Sequence, residues 1–346
     1  MQDFKISKTK SQYRKHKKLL LMFNTIVSIV LAVSIVFAGA LGAVAYITSD
    51  MRMVHISNDH DDLGIDTTVT DKLPKEIINI AMFGIDSRST KTTNLTKALS
   101  GRSDTIIILS INTIEKTIKM TSILRDSWVP ILNKKGTGIT YNKINAAYSI
   151  GGAQRAIHTL NSNFGLNITD YVSVNMHQME KIIDILDGDG LEINITPMEM
   201  RRINELSDDN EGFNSEPLTH SGWVKLNATQ ALCYSRIRDD SEEIRVMRQQ
   251  KVLSLLLENA KQIPATQYPE VLKNLLSVME TSMTYDEIFK FSPMLSISSL
   301  HLETTAVPGK EVVAQGGTFE DTKGKWVWKY DLEKAKKYIH SWIYGI

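Results

Sequence analysis

The stretch that most constrains the fold is residues 101–126, because its pattern predicts a chain that folds back on itself. Thr105–Ile111 and Thr117–Leu124 are apolar and rich in β-branched residues, and the polar Asn112–Lys116 separates them, which predicts a β-hairpin. Near-equal strand lengths bring the flanking residues together at the open end, where opposed residues lie about 5 Å apart. That end carries four charged side chains: Arg102, Asp104, Arg125 and Asp126. They suit a metal-assisted phosphate site, and an ordinary surface ion-pair cluster is the alternative.

The run Leu19–Ile47 contains no charged residue. As a helix rising about 1.5 Å per residue it exceeds the ~30 Å hydrocarbon core of a bilayer, so it predicts a single membrane-spanning helix. A cleaved signal peptide is the alternative, because Ala43–Ala45 resembles a cleavage site, but the apolar segment of a signal peptide is only about 7 to 15 residues long. Seven Lys or Arg precede the run and aspartates follow it, so the positive-inside rule predicts a cytoplasmic N-terminus and an extracellular C-terminal domain.

Charge and cysteine content narrow the functional classes. The chain of 346 residues carries a net charge of +1, while residues 1–18 carry seven Lys or Arg against Asp3, which leaves the remainder mildly acidic. A mildly acidic body argues against nucleic-acid binding. The single cysteine, Cys233, has no partner for an internal disulfide. The predicted organisation is a cytoplasmic tail (1–18), a membrane anchor (19–47), an extracellular tether (48–74) and an extracellular domain (75–346), of which 266–346 closes the core.

Within that domain, strand-like and helix-like segments alternate. Glu76–Phe83 reads as a buried strand, and the turn after it presents Asp86, followed by a polar loop at 87–100. Helical spacing of apolar residues predicts a helix that ends at Gly165 and another over 179–186, with strands at 171–175 and 191–195. A last amphipathic helix is predicted from Leu332, Ala335, Tyr338, Ile339 and Trp342. This alternation indicates a layered α/β domain.

A second charged group lies in residues 231–261. Arg236 and Arg238 are two apart, which places both on one face if the segment is extended. Three further polar residues follow at helical spacing: Arg245, Arg248 and Gln249. Ser241 is the predicted N-cap of that helix, and a helix N-terminus offers backbone donors to an anion. Guanidinium groups bind phosphate oxygens bidentately and stay charged, as a pyrophosphate site requires. Arginines that are merely solvated are the alternative.

Six motifs, in order, resemble those of the LytR-CpsA-Psr family. They are FGIDSR around Asp86, GRSDT at 101–105, SILRDS at 122–127, KINAAY at 143–148, YSRIR at 234–238 and RVMRQQ at 245–250. The resemblance covers about residues 75–265. It implies a mixed β-sheet flanked by helices in three layers (α/β/α), with an apolar pocket for a lipid. It also implies a Gram-positive cell-wall phosphotransferase that moves a glycopolymer, such as teichoic acid or capsule, from a polyprenyl pyrophosphate carrier to peptidoglycan.

The resemblance also implies roles for individual residues. Asp86 and Asp104 would coordinate Mg²⁺, or Mn²⁺ in its place, and hard oxygen ligands suit such ions. The pyrophosphate would be held by Arg102, Arg125, Lys143, Arg236, Arg238, Arg245, Arg248 and Gln249. Arg102, Arg125 and Asp126 would act in catalysis, with Asp126 either orienting an arginine or serving as the base. Two positions depart from the family pattern, which usually has proline at Leu124 and Asp-Phe-Gly at 242–244.

Two other functions are compatible with parts of this pattern. A lipid-pyrophosphate hydrolase, or a protein that only binds polyprenyl phosphate, would use the same arginines, and the sequence does not separate these from a transferase. A transcriptional attenuator would need basic structure in the cytoplasm, where only residues 1–18 are expected to lie.

Overall fold

A computed structural model of the protein describes residues 52–86, 101–208, 213–284, 286–288 and 301–346. The predicted cytoplasmic tail, the predicted span at 19–47 and the predicted loop at 87–100 fall outside the described residues. None of the helices in the described ranges combines the length and apolar character needed to cross a membrane.

The described strands and helices alternate along the chain. The strands are β1 (Arg52–Met53), β2 (Ile77–Asp86), β3 (Arg102–Asn112), β4 (Thr117–Ile123), β5 (Trp128–Leu132), β6 (Ile139–Lys143), β7 (Asp170–Asn175), β8 (Leu191–Ile195), β9 (Gly222–Leu226), β10 (Glu280–Thr281), β11 (His301–Val307), β12 (Gln315–Thr318) and β13 (Trp326–Lys329). The helices are α1 (Thr67–Thr70), α2 (Ala146–Phe164), α3 (Met176–Leu186), α4 (Pro197–Ser207), α5 (Ala228–Arg236), α6 (Glu242–Ala260), α7 (Tyr268–Val278) and α8 (Leu332–Tyr344).

The largest sheet among these residues is mixed and has the strand order β1-β10-β7-β2-β3-β4-β11. Strand β2 pairs antiparallel with β3 and parallel with β7, while β4 pairs antiparallel with β3 and parallel with β11. Three two-stranded sheets lie outside it: β5–β6, β8–β9 and β12–β13. The predicted strand at 191–195 is therefore confirmed, but it belongs to one of these small sheets.

Helices flank the central sheet, and the strand period explains how. Along β2, Ala81, Phe83 and Ile85 are buried in the main core with residues of α2 and α8. The intervening Met82 and Gly84 face the other side, towards α3 and α6. Successive side chains of a strand point to opposite faces, so a strand covered on both faces reads as a nearly continuous apolar run. The mixed sheet flanked by helices, predicted from the sequence, is confirmed.

The predicted hairpin is present as β3–β4, with Asn112 opposite Thr117 at the turn. Its strands are not of equal length, because β3 begins at Arg102, before the stretch that pairs with β4, and continues alongside β2. Strand β2 is also longer than predicted and runs through Gly84 to Asp86, so the turn predicted from Gly84 is wrong. The cause is the pairing of β2 with β3, which extends both strands to the charged end.

The segment predicted to be a tether contributes to the core. Leu63 is completely buried, and Leu73 is 5% exposed. The N–H of Ser57 donates to the side chain of Gln154 at 3.2 Å, which ties the segment to α2. The folded domain therefore begins before residue 75. The sequence did not indicate this, because three buried apolar residues, Leu63, Ile65 and Leu73, in a polar stretch give no periodic signal.

The predicted helices at either end of the core are confirmed. Helix α2 ends at Phe164 immediately before Gly165, and it begins earlier than its apolar spacing indicated, with a kink at Gly151–Gly152. Helix α8 buries Ala335 and Ile339 against the same core, and Asn79 donates a hydrogen bond to the Tyr344 hydroxyl at 2.7 Å. The C-terminal part does more than close the core, since its strand β11 pairs with the whole of β4.

Candidate active site

A deep pocket of about 340 Å³ lies between the central sheet and helices α3 and α6. Its body is apolar, with strand residues on one side and helix residues on the other. The strand side is formed by Met82, Ile107, Leu109, Ile118, Met120, Val172 and Val174, and the helix side by Met176, Met179, Ile182, Ile183, Leu186, Val252, Leu253, Leu256, Leu257 and Ala260. With Met279, five methionines line the pocket, and they make such a wall adaptable because the thioether side chain is unbranched and flexible.

The end of the pocket at the C-terminus of β2 and the N-terminus of β3 is polar. Six of the predicted site residues line it there: Asp86, Asp104, Arg236, Arg238, Arg245 and Gln249. Sequence reasoning missed Thr105, Asn175 and Ser235, which line it as well. These are small polar residues without a motif of their own. The pocket thus combines an apolar interior with a charged rim.

A β-bulge brings Asp104 to this rim. Gly84 pairs with Thr105 and Ile85 pairs with Ser103, so Asp104 is an extra residue in β3. As a result the consecutive residues Asp104 and Thr105 both line the pocket, while Ser103 is completely buried on the other side. A Cβ on Gly84 would lie 2.9 Å from the Thr105 side chain, so this close approach requires glycine. Bulges re-aim side chains next to functional sites.

Asp104 connects the two charged groups of the sequence. Its Oδ2 accepts hydrogen bonds from Arg125 Nη1 at 2.6 Å and from Arg238 Nη2 at 3.0 Å. Burial lowers the pKa of Arg125, but the carboxylates of Asp104, Glu242 and Asp126 more than offset this, and the pKa is raised. The proximity of Arg125 to Asp104 that the hairpin predicted is therefore confirmed.

Arg245 is the most deeply buried cation of the rim, with 3% of its side chain exposed. It pairs with Glu242 one turn earlier in α6 and donates to the backbone oxygen of Asp104 at 3.3 Å. Burial lowers the pKa of Arg245 to about 10, with the neighbouring cations Arg125 and Arg238 adding to the effect. Arg245 is thus charged at neutral pH in a site that disfavours its charge, and an anion in the pocket would relieve this.

Glu242 has a role that sequence reasoning missed. Its carboxylate lies 3.5 Å from Arg125 Nε and also pairs with Arg245. It stands where the family usually has aspartate, and the structure shows that the longer side chain still reaches both arginines. Neither Arg125 Nε nor Arg245 Nε makes a hydrogen bond to another described residue. The two buried donors flank a small cavity next to the main pocket, lined by Thr105 and Gln249 among others.

Asp126 and Lys143 form a second layer behind the rim. Lys143 Nζ lies 2.7 Å from Asp126 Oδ1, and Asp126 Oδ2 lies 3.6 Å from Arg125 Nε. Neither residue is among those lining the pocket. Their position next to Arg125 agrees with the predicted grouping. Arg125 is itself absent from the lining of the main pocket and instead lines the small cavity beside it.

The structure places four of the predicted arginines differently from the sequence-based expectations. Arg236 is the last residue of α5 and Arg238 lies beyond its C-cap, so the two are not on one face of an extended segment, although both line the pocket. Arg248 does not line the pocket; its Nε donates to Glu199 at 2.8 Å and its Nη1 to Asp240 at 2.9 Å. Arg102 is exposed beside Asp86 and is also absent from the lining.

Arg248 instead stabilises the segment that presents Arg238, because Asp240 lies in the connection between α5 and α6. We expect Arg248→Met to lower the free energy of unfolding by about 3 kcal/mol, since it leaves the buried Glu199 without its partner. Urea unfolding measures this, and Arg201→Met, at an exposed position of the same helix as Glu199, should change it by less than about 0.5 kcal/mol. Adding Glu199→Gln to Arg248→Met should restore part of the loss; an equal or larger loss would contradict this account.

The carboxylates at the rim are suitable for a divalent cation only in part. Asp86 and Asp104 both line the polar end of the pocket, but Asp104 is engaged by two arginines. Among the described residues, no group of three or more His, Cys, Asp or Glu side chains is placed to hold a metal ion. Mg²⁺ commonly uses one or two carboxylates and takes its other ligands from water and substrate phosphates. Two carboxylates therefore fit a site that is completed by a phosphate-bearing substrate.

The fold and the rim define a class of protein: an α/β domain whose apolar pocket and cationic mouth suit an amphiphilic anion. The chain matches the model of the LytR_cpsA_psr family over residues 43–340. It belongs to the LytR-CpsA-Psr family, as its motifs indicated.

The chain is similar to several named proteins and to solved structures. The chain is 25% identical, over 85% of its length and 89% of the relative's, to the polyisoprenyl-teichoic acid–peptidoglycan teichoic acid transferase TagT of Bacillus subtilis (strain 168). It is 29% identical, over 93% of its length and 76% of the relative's, to biofilm regulatory protein A of Streptococcus mutans. A structure of TagT with bound octaprenyl pyrophosphate lipid covers 86% of this chain and 98% of its own, with 21% identity and a TM-score of 0.55, which shows a shared fold.

Proposed function

We propose that this protein is a membrane-anchored transferase that moves a glycopolymer from a polyprenyl pyrophosphate carrier to peptidoglycan during cell-wall assembly. The observation that carries the proposal is the geometry of the main pocket, whose apolar interior ends at Asp104, Arg238 and Arg245. An apolar chain attached to a pyrophosphate matches both parts. The relative TagT is named for such a transfer, and its structure with octaprenyl pyrophosphate supports the same ligand class here.

Different parts of the pocket would contact the two parts of the ligand. The prenyl chain would lie against the apolar wall, and the pyrophosphate would replace Asp104 and Glu242 as a partner of Arg125 and Arg245. Guanidinium groups in a partly buried site bind phosphate oxygens more strongly than in water, because the local dielectric constant is low. Arg238, which is 55% exposed, would contact the phosphate nearer to the glycan.

In the reaction, a hydroxyl of the acceptor attacks the glycan-side phosphorus. The bond from that phosphorus to the bridging oxygen breaks, and the lipid monophosphate leaves while the hydroxyl proton passes to a base. Arg125 and Arg245 stabilise the charge that develops on the leaving phosphate, which is the main way proteins accelerate phosphoryl transfer. Asp126 is held by Lys143 and faces Arg125, which supports a positioning role over that of the base.

A Mg²⁺ or Mn²⁺ ion is part of the proposal. Asp86 and Asp104 would hold it together with substrate oxygens, and when bound it would neutralise charge on the transferred phosphoryl group. The proposal also includes location. The uncharged run at 19–47 and its basic N-terminal flank support a single-pass protein of the cell membrane with the transferase domain outside, facing the lipid carrier and the cell wall.

The pocket can be tested by filling it. Val174 is half-buried and lines the apolar part of the pocket, so Val174→Trp should occupy the space of the prenyl chain and reduce polyprenyl pyrophosphate retained by the full-length protein at least about tenfold, or 1.4 kcal/mol. Mass spectrometry of lipid extracted from purified protein measures this. The control is Val313→Trp at a position that is 83% exposed and outside the pocket. Unchanged lipid retention by folded Val174→Trp would contradict the pocket assignment.

A further inference from the structure

An exposed aromatic surface lies next to the rim. The N–H of Trp328 donates to the backbone oxygen of Asp126 at 2.9 Å, which places β13 beside the start of β5. In the β5–β6 and β12–β13 pairs the inward residues, such as Val129 and Val327, are completely buried. The alternate positions point outwards and carry four aromatic residues: Trp128, Tyr141, Trp326 and Trp328. We call these four residues the aromatic surface.

The four aromatic rings lie in two neighbouring pairs. The rings of Trp326 and Trp328 pack edge to face with centroids 4.8 Å apart, and those of Trp128 and Tyr141 lie 6.5 Å apart. Gly316 lies directly opposite Trp328, and a Cβ there would be 2.7 Å from the Trp328 ring and 2.8 Å from that of Trp326. The missing side chain therefore lets both rings lie against the strand. Trp326 is 45% exposed and Tyr141 is 59% exposed, whereas Trp128 and Trp328 are half-buried.

Hydrogen-bonding groups accompany these rings. The ammonium group of Lys325 lies 6.0 Å from the centre of the Trp128 ring and donates to Asn142 at 2.8 Å, which links the two strand pairs. Lys329 pairs with Asp321 at 2.5 Å beside them. Insertion of this surface into a lipid bilayer would bury these charges, whereas a sugar polymer would use them.

A chain of ion pairs connects one end of the aromatic surface to the rim. Trp128 is directly opposite Lys143 in the β5–β6 pair. Lys143 pairs with Asp126, which faces Arg125, and Arg125 pairs with Asp104 at the pocket. A ligand lying on the aromatic surface would therefore end near the group that the pocket presents.

We infer that the aromatic surface binds the acceptor polysaccharide. One face of a pyranose ring carries polarised C–H bonds, which are attracted to the negative face of an aromatic ring, and the flanking amide and ammonium groups suit sugar hydroxyls. The inference rests on the proposed function, because a transferase of this kind must hold its acceptor beside the pyrophosphate.

The test uses the full-length protein in detergent and a β-1,4-linked hexamer of N-acetylglucosamine as the probe. We expect the hexamer to bind, and Trp326→Ala or Tyr141→Ala to weaken its binding between about threefold and tenfold, as expected for one aromatic contact. The matched control is Trp223→Ala, a tryptophan that is 65% exposed on β9 in another small sheet, which should leave the affinity unchanged. Melting temperatures confirm that each variant is folded.

Several results would overturn the inference. The first is no binding of the hexamer by the natural sequence, and the second is an affinity in folded Trp326→Ala and Tyr141→Ala equal to that of the natural sequence. The third is quenching of tryptophan fluorescence by brominated lipids in nanodiscs that disappears in Trp326→Ala, which would mark a membrane contact. Lipid retention is measured on the same samples. Loss of retained polyprenyl pyrophosphate with normal hexamer binding would count against the proposed function alone, and the reverse would count against the aromatic surface alone.

Discussion

Arg245→Met is expected to stabilise the empty protein while removing most of its affinity for polyprenyl pyrophosphate. The pKa of Arg245 is lowered to about 10, first by burial, which corresponds to a cost of about 3 kcal/mol for the charge in the folded state. This cost already includes the attraction of Glu242, which raises the pKa of Arg245. Methionine has a similar length and no charge, but it loses the hydrogen bond to the backbone oxygen of Asp104, which offsets part of the gain. We therefore expect a net increase of about 1 to 2 kcal/mol in the free energy of unfolding, measured in urea at neutral pH.

The pH dependence of the stabilisation by Arg245→Met follows from the lowered pKa of Arg245. The folded-state pKa of about 10 lies below the ordinary value of an arginine, so Arg245 is charged in both states below pH 10 and the advantage of methionine is constant there. It should shrink as pH rises through the folded-state pKa, because the folded natural protein then releases the proton. Unfolding at neutral pH and at about pH 9 should give the same difference.

The loss of affinity has an independent cause. A charge-assisted contact contributes roughly 1.5 to 3 kcal/mol, so binding should weaken about tenfold to a hundredfold. Arg238→Met is the matched control, because its side chain is 55% exposed: it should weaken binding without stabilising the protein. Arg245→Lys should restore binding only in part, since a point charge lacks bidentate geometry. A destabilised Arg245→Met, or one that binds lipid normally, would contradict the assignment.

Asp104→Ala is expected to abolish transfer and yet leave lipid pyrophosphate bound. Asp104 is engaged by Arg125 and Arg238 in the empty protein, so its removal frees both arginines for phosphate. Ground-state affinity should therefore change by less than about threefold, or 0.7 kcal/mol. Transfer should fall because the proposed metal site loses one of its two carboxylates and the arginines lose their fixed orientation.

The measurements are retained lipid, transfer as a function of Mg²⁺ concentration, and melting temperature. Asp184→Ala, at an exposed position of α3, should behave like the natural sequence in all three. Normal, Mg²⁺-stimulated transfer by folded Asp104→Ala protein would refute the metal assignment. Loss of lipid together with loss of transfer would show that Asp104 serves binding instead.

The sequence predicted much of this site because its signals are local. The hairpin pattern alone placed Arg125 beside Asp104, and the N-cap Ser241 fixed the start of α6. Where the decisive contacts are distant, it failed. Arg245 and Arg248 have the same spacing signal, but the partner of Arg248 is Glu199, 49 residues away, and that contact turns its side chain away from the pocket.

Strand register is another feature that the sequence did not predict. The bulge at Asp104 depends on how β3 pairs with Gly84 of β2, and neither strand shows this register by itself. Likewise, the burial of Leu63 depends on α2, more than eighty residues further along, so the polar stretch around it gave no sign of a folded segment. The alternation of apolar residues is informative about elements, whereas their partners are decided by tertiary packing.

The central claim is tested most directly by the fate of both halves of the substrate. Full-length protein is incubated with a polyprenyl pyrophosphate-linked glycopolymer, labelled in both the glycan and the lipid, and with peptidoglycan sacculi. We expect labelled glycopolymer to become covalently attached to the sacculi, with one polyprenyl monophosphate released for each linkage. Release of polyprenyl monophosphate together with free phosphorylated glycopolymer, and no attachment to the sacculi, would identify a hydrolase and contradict the proposed transfer.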